Sequence, residues 1–388
     1  MQPPTARTTV GPEARPTPAS KLYLRPLAVL SGEPARQALG SGFGLPLGSA
    51  EAFLACELSR RESGALEQTV LPAAELRAWA AARGSAFEQA LERQLARLAN
   101  PAPMPRLSSC PGKAATGPSI MGVINVTPDS FSDGGRFLDP GAAIAHGERL
   151  HDEGADILDV GGESTRPGAA PVPAEEEIRR VVPVVRALAG AGRPVSIDTR
   201  KTVVMRAALD AGAAMINDIS ALRHDPDSLA IAGASGAPVI LMHSRGEPAT
   251  MQHRPHYERV SLDIFDHLEQ RIQLWESAGF ARSRLLLDPG IGFGKTLDHN
   301  LEILQRLDLY RSLGLPLVLG VSRKSFVARI CGDLQETERL PGSLAAALFG
   351  LAHGISLLRV HDVGATRQAV RLWQAITDAS VDCLQRSV

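Results

Sequence analysis

The sequence predicts an α/β protein, a (β/α)8 barrel preceded by a small α+β N-terminal extension. Two observations lead to this prediction. From about residue 119 onward, eight short apolar runs alternate with longer amphipathic stretches, and each run gives way to polar residues or glycine near its carboxyl end. The chain has 388 residues, more than one hydrophobic core usually organises, which leaves room for an attachment to the barrel.

The composition is that of a globular protein and limits the partners that the chain can bind. Hydrophobic residues make up 44% and charged residues 21% of the sequence, so enough apolar surface exists to form a core. Lys and Arg number 41 and Asp and Glu 42, which gives a formal net charge of -1. We therefore expect no large basic surface and no binding to nucleic acid or to a membrane.

Targeting signals and disulfides are not expected either. The N-terminal residues contain no apolar core of the length that a secretory signal needs, and no stretch of about 20 apolar residues follows. The cysteines, at positions 56, 110, 331 and 383, lie far apart without a C-x-x-C pair. This spacing is typical of free thiols in a reducing compartment, so the expected location is cytoplasmic.

The region before the barrel is predicted to comprise a flexible tail at residues 1–20, an extension at residues 21–100 and a linker at residues 101–118. Within the extension, residues 22–30 favour a strand and residues 73–83 favour a helix that ends at Gly84. A capping box at residues 85–88 predicts the start of a second helix, which ends at Asn100. The apolar stripe of this helix predicts core positions at Phe87, Leu91, Leu95 and Leu98.

The eight apolar runs predict the strands of the barrel. They are residues 120–124, 157–160, 195–197, 215–216, 239–242, 285–287, 317–319 and 357–360. Their first residues are about 34 positions apart on average, the length of one strand–helix unit, and runs that are apolar on both faces are typical of a covered parallel sheet. An open, doubly wound sheet is the structural alternative.

Polar residues near the carboxyl ends of these runs predict where the functional site lies. They are Asn125, Asp159, Glu163, Asp198, Asn217, Asp218, His243, Asp288, Ser322, Arg323, Lys324, Arg359, His361 and Asp362. In a (β/α)8 barrel the carboxyl ends of all strands open on one face, so residues roughly 240 positions apart would meet there. Any one of them could be a helix cap or a turn residue, but the recurrence after all eight runs favours a shared site.

The residue types at this face suit a flat heterocycle with a charged tail. Asp198 and Asp288, at the ends of apolar runs, would be partly desolvated, so each needs a hydrogen-bond donor or a proton. A heterocycle with adjacent N–H groups would supply such donors. Lys324, Arg359 and His361 place cationic donors at the same mouth, where they could hold a polyanionic leaving group. An ion pair between Arg359 and Asp362 or another neighbour is the structural alternative.

A glycine-rich turn at residues 288–296 ends in Gly-Lys-Thr and has to be tested as a nucleotide phosphate loop. That motif requires a glycine five residues before Gly294, and this position holds Pro289, which lacks a backbone N–H. A phosphate-loop ATPase is therefore disfavoured. We interpret the glycines as allowing the backbone to approach a flat ligand beside Asp288.

The motifs from about residue 119 to residue 379, taken together, resemble those of the dihydropteroate synthases of the folate pathway. The resemblance rests on residues 125–135, 161–168 (Gly-Gly-Glu-Ser-Thr-Arg-Pro-Gly), 196–199 (Ser-Ile-Asp-Thr), 216–219 (Ile-Asn-Asp-Ile), 241–243 (Leu-Met-His), 288–295, 322–325 (Ser-Arg-Lys-Ser) and 359–362 (Arg-Val-His-Asp). A single segment of this length is weak evidence, but eight in the family's order over about 260 residues are specific.

The resemblance implies a (β/α)8 TIM barrel transferase that condenses 6-hydroxymethyl-7,8-dihydropterin diphosphate with 4-aminobenzoate, giving 7,8-dihydropteroate and pyrophosphate. It implies Mg²⁺ as cofactor, sulfonamides as family inhibitors and a homodimer formed through helices late in the barrel. The implied residues for pterin diphosphate are Thr165, Asp198, Asn217, Met242, Asp288, Phe293, Lys324, Arg359 and His361. Those for 4-aminobenzoate are Phe131, Thr165, Arg166, Pro167 and Ser325. The implied catalytic residues are Asp133, Lys324, Arg359 and His361, and the implied metal ligand is Asn125.

Two other functions stay open at this point, and one region stays unexplained. A pterin-binding methyltransferase domain would share the barrel and the pterin-holding Asp and Asn residues, but it has no need for residues 322–325 or for diphosphate contacts. A non-catalytic pterin-binding protein would keep Asp198, Asn217 and Asp288 and lose the long loops after the first two strands. Residues 1–117 lie outside the usual catalytic unit, and we hypothesise that they are a packing or oligomerisation module.

Overall fold

The computed structural model describes residues 21–62, 65–107, 117–127, 140–164, 170–247 and 250–378. The first part is an α+β region. Its elements are β1 (Lys21–Ser31), α1 (Gly32–Gly40), β2 (Leu45–Leu47), β3 (Glu51–Glu62), β4 (Ala65–Pro72), α2 (Leu76–Ala81) and α3 (Ser85–Ala99). The four strands form an antiparallel sheet in which β3 pairs with β1 along one edge and with β2 and β4 along the other.

The α+β extension is confirmed, but three local predictions in it need correction. The sequence predicted one strand, which corresponds to β1, and missed β2, β3 and β4. The helix predicted at residues 73–83 is shorter, because a 3-10 turn over Ala73–Glu75 precedes α2. The capping box is wrong: Ser85 is already the first helical residue, and Gly84, with a φ of 100°, is the N-cap without a side-chain hydrogen bond.

A closed barrel of eight parallel strands follows, and each predicted run is one strand of it. The strands are β5 (Ser119–Asn125), β6 (Ile157–Gly161), β7 (Val195–Asp198), β8 (Met215–Asp218), β9 (Val239–Met242), β10 (Leu285–Asp288), β11 (Leu317–Leu319) and β12 (Ile355–Val360). Each strand pairs with the next in the chain, and β12 closes the barrel by pairing Leu357 with Ser119 of β5. The (β/α)8 barrel is therefore confirmed, and the open sheet is excluded.

Helices cover the barrel on the outside. They are α4 (Pro140–Asp152), α5 (Ala174–Gly190), α6 (Thr202–Asp210), α7 (Ser228–Ala234), α8 (Val260–Ser277), α9 (Leu297–Gln305), α10 (Asp308–Arg311), α11 (Ser325–Cys331), α12 (Leu340–Ala352) and α13 (Val363–Asp378). Short 3-10 turns precede β10 and α12. No helix in the described part of the chain is both long enough and apolar enough to cross a membrane. Cys56 and Cys331, the two cysteines within that part, are free thiols.

One apolar layer fills the inside of the barrel. Its buried members are Met121, Ile157, Met215, Ile240, Leu286, Val318 and Leu357. Side chains alternate between the faces of a strand, so residues two positions further along point inward as well. Those positions hold Asp159, Asn217, Met242, Asp288 and Arg359. The layer thus aims the polar residues into the carboxyl-terminal mouth. From before the barrel, Met104 and Leu107 pack against the same layer.

The N-terminal region is tied to the outside of the barrel by packing and by ion pairs. Tyr23 belongs to the main barrel core, and its ring meets that of Phe265 edge to face with centroids 5.4 Å apart. The Tyr23 hydroxyl donates to Asp266 of α8 at 2.9 Å, and Lys21 pairs with the same carboxylate at 2.5 Å. Glu57 of β3 pairs with the buried Arg306. The interface contains buried and partly buried charged groups, and removing one member of a pair would leave the other without its partner.

Candidate active site

The carboxyl-terminal parts of β6, β7, β8 and β12 bring four polar side chains together. Arg359 donates from Nε to Oδ2 of Asp159 at 2.6 Å and from Nη2 to Oδ2 of Asp198 at 2.7 Å. Asn217 donates from Nδ2 to the same Asp159 oxygen at 3.0 Å. Asp362, the alternative partner considered for Arg359, pairs with Arg323 at 2.5 Å. The arginine is therefore held by two carboxylates inside the mouth.

Burial and neighbouring charges together determine the protonation of Asp198 and Arg359 in this cluster. Burial raises the pKa of Asp198 to about 7; the Arg359 guanidinium opposes this shift, and the Asp159 carboxylate adds to it. Burial also acts to lower the pKa of Arg359, but Asp159 and Asp198 outweigh it and raise that pKa above its usual value. Arg359 is therefore charged at neutral pH, whereas Asp198 can gain or lose a proton near neutral pH.

Asp288 lies at the end of β10, where a glycine turn crosses the mouth. Its buried carboxylate accepts a hydrogen bond from the backbone N–H of Gly290 at 2.7 Å. Burial raises the pKa of Asp288, and the Gly290 hydrogen bond and Lys324 act against that shift. Gly290 has a φ of 70°, and a Cβ atom there would lie 1.9 Å from the carbonyl oxygen of His243. Only glycine therefore allows this close passage.

Lys324 precedes α11 and lies beside Asp288. Its Nζ donates to the carbonyl oxygen of Ile291 and lies 4.2 Å from the centroid of the Phe293 ring. Burial lowers the pKa of Lys324 to about 8, with Asp288 opposing this shift and Arg359 adding to it. The ammonium group is thus held over an aromatic face and is still mostly charged at neutral pH.

The remaining described site residues surround this centre. His361 follows β12, and its Nδ1 lies 3.1 Å from Oγ of Ser322. Met242 is the buried last residue of β9, and Ser325 is the exposed first residue of α11. Asn125 is the half-buried last residue of β5, in register with Gly161 of β6. The structure therefore places Asn125, Met242 and His361 at the ends of barrel strands or directly after them, and Ser325 at the start of the helix that follows β11.

Five predicted site residues lie outside the described residues. They are Phe131, Asp133, Thr165, Arg166 and Pro167. Within the described ranges, no group of three His, Cys, Asp or Glu side chains could hold a metal ion. The roles assigned to these five residues stay predictions, as do the roles of the other site residues and that of Asn125 as a metal ligand.

Asp159 is the residue that the sequence reasoning left out of the site. It was noted as a polar residue near a strand end, but the structure makes it a fully buried acceptor for both Arg359 and Asn217. One signal for this was present in the sequence. Asp159 follows the inward-facing Ile157 by two positions, and an acid on the inner face of an apolar strand requires a partner.

Lys295, the lysine of the Gly-Lys-Thr sequence, is buried inside the glycine turn. Its Nζ lies 3.0 Å from Nδ1 of His243 and donates to the carbonyl oxygen of Phe293 at 3.0 Å. Burial lowers the pKa of Lys295 well below its usual value. This lysine ties the turn to the end of β9, an arrangement unlike that of a phosphate-loop lysine, which reaches toward the nucleotide.

A second lysine missed by the sequence reasoning lies at the base of the loop after β6. Nζ of Lys201 contacts the carboxylates of Glu177 at 2.5 Å and Glu163 at 3.2 Å, and it donates to the carbonyl oxygen of Val172 at 2.6 Å. Glu163 and Val172 flank the segment that carries Thr165 to Pro167 in the sequence. Lys201 thus joins the two ends of that segment.

Comparison with known proteins agrees with this geometry. A family model described as pterin binding enzyme matches residues 121–361. The dihydropteroate synthase of Neisseria meningitidis serogroup B is 46% identical over 264 residues, which cover 67% of this chain and 93% of that protein. The dihydropteroate synthase of Escherichia coli (strain K12) is also 46% identical, over 68% of this chain and 93% of that protein.

Solved structures give the same result. A Xanthomonas albilineans dihydropteroate synthase with 4-aminobenzoic acid has a TM-score of 0.65 and 47% identity, with 68% of this chain and 95% of that chain covered. Another from the same organism, in complex with 7,8-dihydropteroate, has a TM-score of 0.64 and 44% identity, with 71% and 100% covered. The match spans more than half of the chain and nearly all of each relative. The chain therefore belongs to the pterin-binding enzymes and, among them, to the dihydropteroate synthase family.

Proposed function

We propose that the chain condenses 6-hydroxymethyl-7,8-dihydropterin diphosphate with 4-aminobenzoate, giving 7,8-dihydropteroate and pyrophosphate. The observation that carries this proposal is the convergence of a buried carboxylate, a largely buried carboxylate and two cations, Asp288, Asp198, Lys324 and Arg359, at one barrel mouth. A pterin offers adjacent N–H groups to carboxylates, and its diphosphate requires cationic donors. This enzyme is a transferase that forms one C–N bond as one C–O bond breaks.

The ring of the substrate would be bound by the inner residues. The Asp288 carboxylate accepts hydrogen bonds from a ring N–H and from the exocyclic amine together, as carboxylates do with guanidinium groups. Lys324 donates to the ring oxygen and nitrogen acceptors. Asp198 and Asn217 bind the opposite edge, and the apolar Met242 and Phe293 pack on the ring. The desolvation that raises the pKa of Asp198 and Asp288 favours a ligand that brings donors.

The diphosphate would be bound by Arg359, His361 and Thr165. When the C–O bond breaks, the electron pair leaves with the diphosphate, so negative charge increases on the leaving oxygen. Donors that are already oriented stabilise that charge, and removing one such contact often costs about 3 kcal/mol of barrier, roughly a hundredfold in rate. Arg359 is held in place by Asp159 and Asp198 before any substrate binds.

Mg²⁺ would be held at Asn125 and by the diphosphate. The residues fit such an ion, because an amide oxygen at the end of β5 is a suitable ligand and no further protein ligand is required. Magnesium binds oxygen, keeps several waters and commonly bridges phosphates. When bound, it would neutralise charge on the leaving pyrophosphate. Arg359 and His361 would share that task from the protein side.

The arylamine would enter last. Phe131, Thr165, Arg166, Pro167 and Ser325 would form the 4-aminobenzoate site, with Asp133 near the positive charge that develops on the pterin methylene. The nitrogen lone pair forms the C–N bond, and the resulting ammonium loses its proton to solvent. Lys201 would support this site, because it joins Glu163 and Val172 on either side of the loop.

A homodimer is the assembly that we propose, formed through the last helices of the barrel. Phe349 of α12 is 42% exposed, and Leu372 and Ile376 of α13 are 63% and 67% exposed. Leu372 and Ile376 lie one helical turn apart and share a face. Sedimentation velocity tests this proposal: the wild type should be dimeric and Leu372→Glu/Ile376→Glu monomeric.

Pyrophosphate release with both substrates and Mg²⁺ tests the proposed reaction. The wild type should release pyrophosphate only when pterin diphosphate and 4-aminobenzoate are both present, and Asp198→Ala and Lys324→Ala should each lower kcat/KM by about a hundredfold or more. Asp308→Asn, a buried acid paired with His353 outside the mouth, is the matched control. Release of no pyrophosphate by the wild type would refute the proposal. A pterin-binding methyltransferase or a non-catalytic pterin protein would give that result.

A further inference from the structure

Asp159 is the acid on which two of the proposed ligand-binding side chains converge. Its side chain is completely buried, and its Oδ2 accepts hydrogen bonds from Nε of Arg359 at 2.6 Å and from Nδ2 of Asn217 at 3.0 Å. Arg359 and Asn217 come from β12 and β8, which are not neighbours of each other in the barrel. Asp159 therefore links two parts of the mouth that no backbone pairing connects.

Asp159 fixes the plane of the Arg359 guanidinium. Asp198 holds the group through Nη2, and Asp159 holds it through Nε. A guanidinium held by a single hydrogen bond can turn about that contact. A planar group held at two of its nitrogens has one orientation, so its remaining N–H groups face one direction.

The same carboxylate decides which way the Asn217 amide faces. An ionised carboxylate only accepts hydrogen bonds, so the Nδ2 side of the amide has to face Asp159 and Oδ1 has to face away from it. Without that acceptor, the two orientations of the amide would no longer differ by this contact. A ring edge bound at Asn217 would then meet a donor in some molecules and an acceptor in others.

We propose that Asp159 is a positioning residue for pterin diphosphate, which acts on the diphosphate through Arg359 and on the ring through Asn217. This inference rests on the proposed function. It assigns to Asp159 an effect on the first substrate alone, because neither Arg359 nor Asn217 belongs to the proposed 4-aminobenzoate site.

Steady-state kinetics of Asp159→Asn test the inference. The change keeps the shape of the side chain but removes its charge, and it brings an amide donor against two donors. We expect kcat/KM for pterin diphosphate to fall by about a hundredfold. The KM for 4-aminobenzoate at saturating pterin diphosphate should stay within about twofold of the wild type. Asp308→Asn, the control for loss of a buried acid, should leave both values within the same range.

A double-mutant cycle separates positioning from general destabilisation. If Asp159 acts through Arg359, Asp159→Asn should lower kcat/KM for pterin diphosphate much more in the wild type than in an Arg359→Lys background. We expect the change in log kcat/KM in the Arg359→Lys background to be less than about a third of the change in the wild type. A structural role would give the same loss in both backgrounds. Asp159→Glu keeps the charge and displaces it by one methylene, so its kcat/KM for pterin diphosphate should lie between those of the wild type and Asp159→Asn. If Asp159→Asn does not fold, Asp159→Glu takes its place in the cycle.

The outcomes distinguish this inference from the proposed function. If the wild type releases pyrophosphate, two results would overturn the positioning role alone. One is a loss of kcat/KM for pterin diphosphate below about threefold in Asp159→Asn, and the other is an equal loss in both backgrounds. A rise in the KM for 4-aminobenzoate as large as the loss toward pterin diphosphate would overturn it as well. A wild type that releases no pyrophosphate overturns the proposed function, and this inference falls with it.

Discussion

Nη2 of Arg359 lies 2.7 Å from Oδ2 of Asp198, although the strands that carry them, β12 and β7, are separated in the barrel by β5 and β6. The contact spans the mouth of the barrel and can form only because the sheet is closed. Both side chains are only partly exposed, and the pair is held by geometry that the whole barrel supplies. Gly290 and Lys295 are likewise fixed by a residue distant in the chain, His243.

Replacing Lys324 with arginine should change the pH dependence of the first substrate. Because burial lowers the pKa of Lys324 to about 8, the wild type should lose its ammonium charge above that pH. Its kcat/KM for pterin diphosphate should therefore fall from pH 7 to pH 9.5. An arginine stays charged over this range, so Lys324→Arg should have lower activity but no alkaline decline of this origin. Equal alkaline declines in both proteins would contradict the assignment.

Gly290→Ala should lower the free energy of unfolding far more than the same change at another glycine with a positive φ. Its Cβ would lie 1.9 Å from the His243 carbonyl oxygen, at a φ of 70°. Gly279 is the matched control, since its φ is 85° and a Cβ there meets nothing within 4 Å. We expect Gly279→Ala to lower the free energy of unfolding by about 1 kcal/mol and Gly290→Ala by about 3 kcal/mol or more. Equal losses in urea titrations would show that the close passage does not matter.

Lys295→Met should destabilise the protein and weaken pterin diphosphate binding. The buried amine donates to the carbonyl oxygens of His243 and Phe293, and both would lose that donor. A loss of about 2–4 kcal/mol in the free energy of unfolding is expected. Lys21→Met, which removes an ion pair of a partly exposed lysine with Asp266, should cost about 1 kcal/mol or less. ATP hydrolysis by the wild type would instead revive the phosphate-loop hypothesis.

Binding of 4-aminobenzoate should depend on the pterin diphosphate. The proposed arylamine site includes residues from two loops and Ser325 beside Lys324, so it should be complete only after the first substrate binds. Calorimetry with 4-aminobenzoate alone should detect weak binding or none. With pyrophosphate and a non-reactive pterin present, affinity should rise by about tenfold or more. The same affinity in both titrations would refute this order.

Removing the N-terminal region should expose buried residues of the barrel and take away their partners. A deletion of residues 1–107 takes away Glu57, the partner of buried Arg306, and Tyr23, which packs on Phe265. We expect aggregation and a lower melting temperature, measured by light scattering and calorimetry. A deletion of residues 1–20 is the control and should behave as the full chain. Unchanged stability, assembly and turnover of the longer deletion would remove the proposed packing role.

The barrel could be predicted because its information is local. Each strand is a short apolar run, and the spacing of the runs is that of one strand–helix unit. The extension could be predicted only in part, since β2 is three residues long with a central proline, and β3 mixes apolar residues with Glu57, Arg60 and Arg61. β3 is held by pairing with β1 and by ion pairs to the barrel, and β2 is held by pairing with β3. No window of sequence contains these partners.

The same distinction applies to the site: local features could be predicted from the sequence, and contacts between distant residues could not. The location of Asp198, Asn217, Asp288 and Arg359 at the barrel mouth could be predicted because polar residues at strand ends meet in any barrel of this kind. The roles of Asp159 and Lys295 depend on which side chain they face, and those partners lie 200 and 52 positions away. A single sequence gives the positions of such residues, but their partners become visible only in the folded chain.

Met104 and Leu107, which precede β5, pack against the apolar layer that fills the inside of the barrel. Because this layer leaves no pore through the barrel, we expect substrates, products and solvent to reach the polar residues from the carboxyl-terminal mouth. A water molecule that could hydrolyse the activated pterin has to arrive by the route that the arylamine takes. An arylamine bound in that mouth would therefore act both as the nucleophile and as the group that excludes water from the activated pterin.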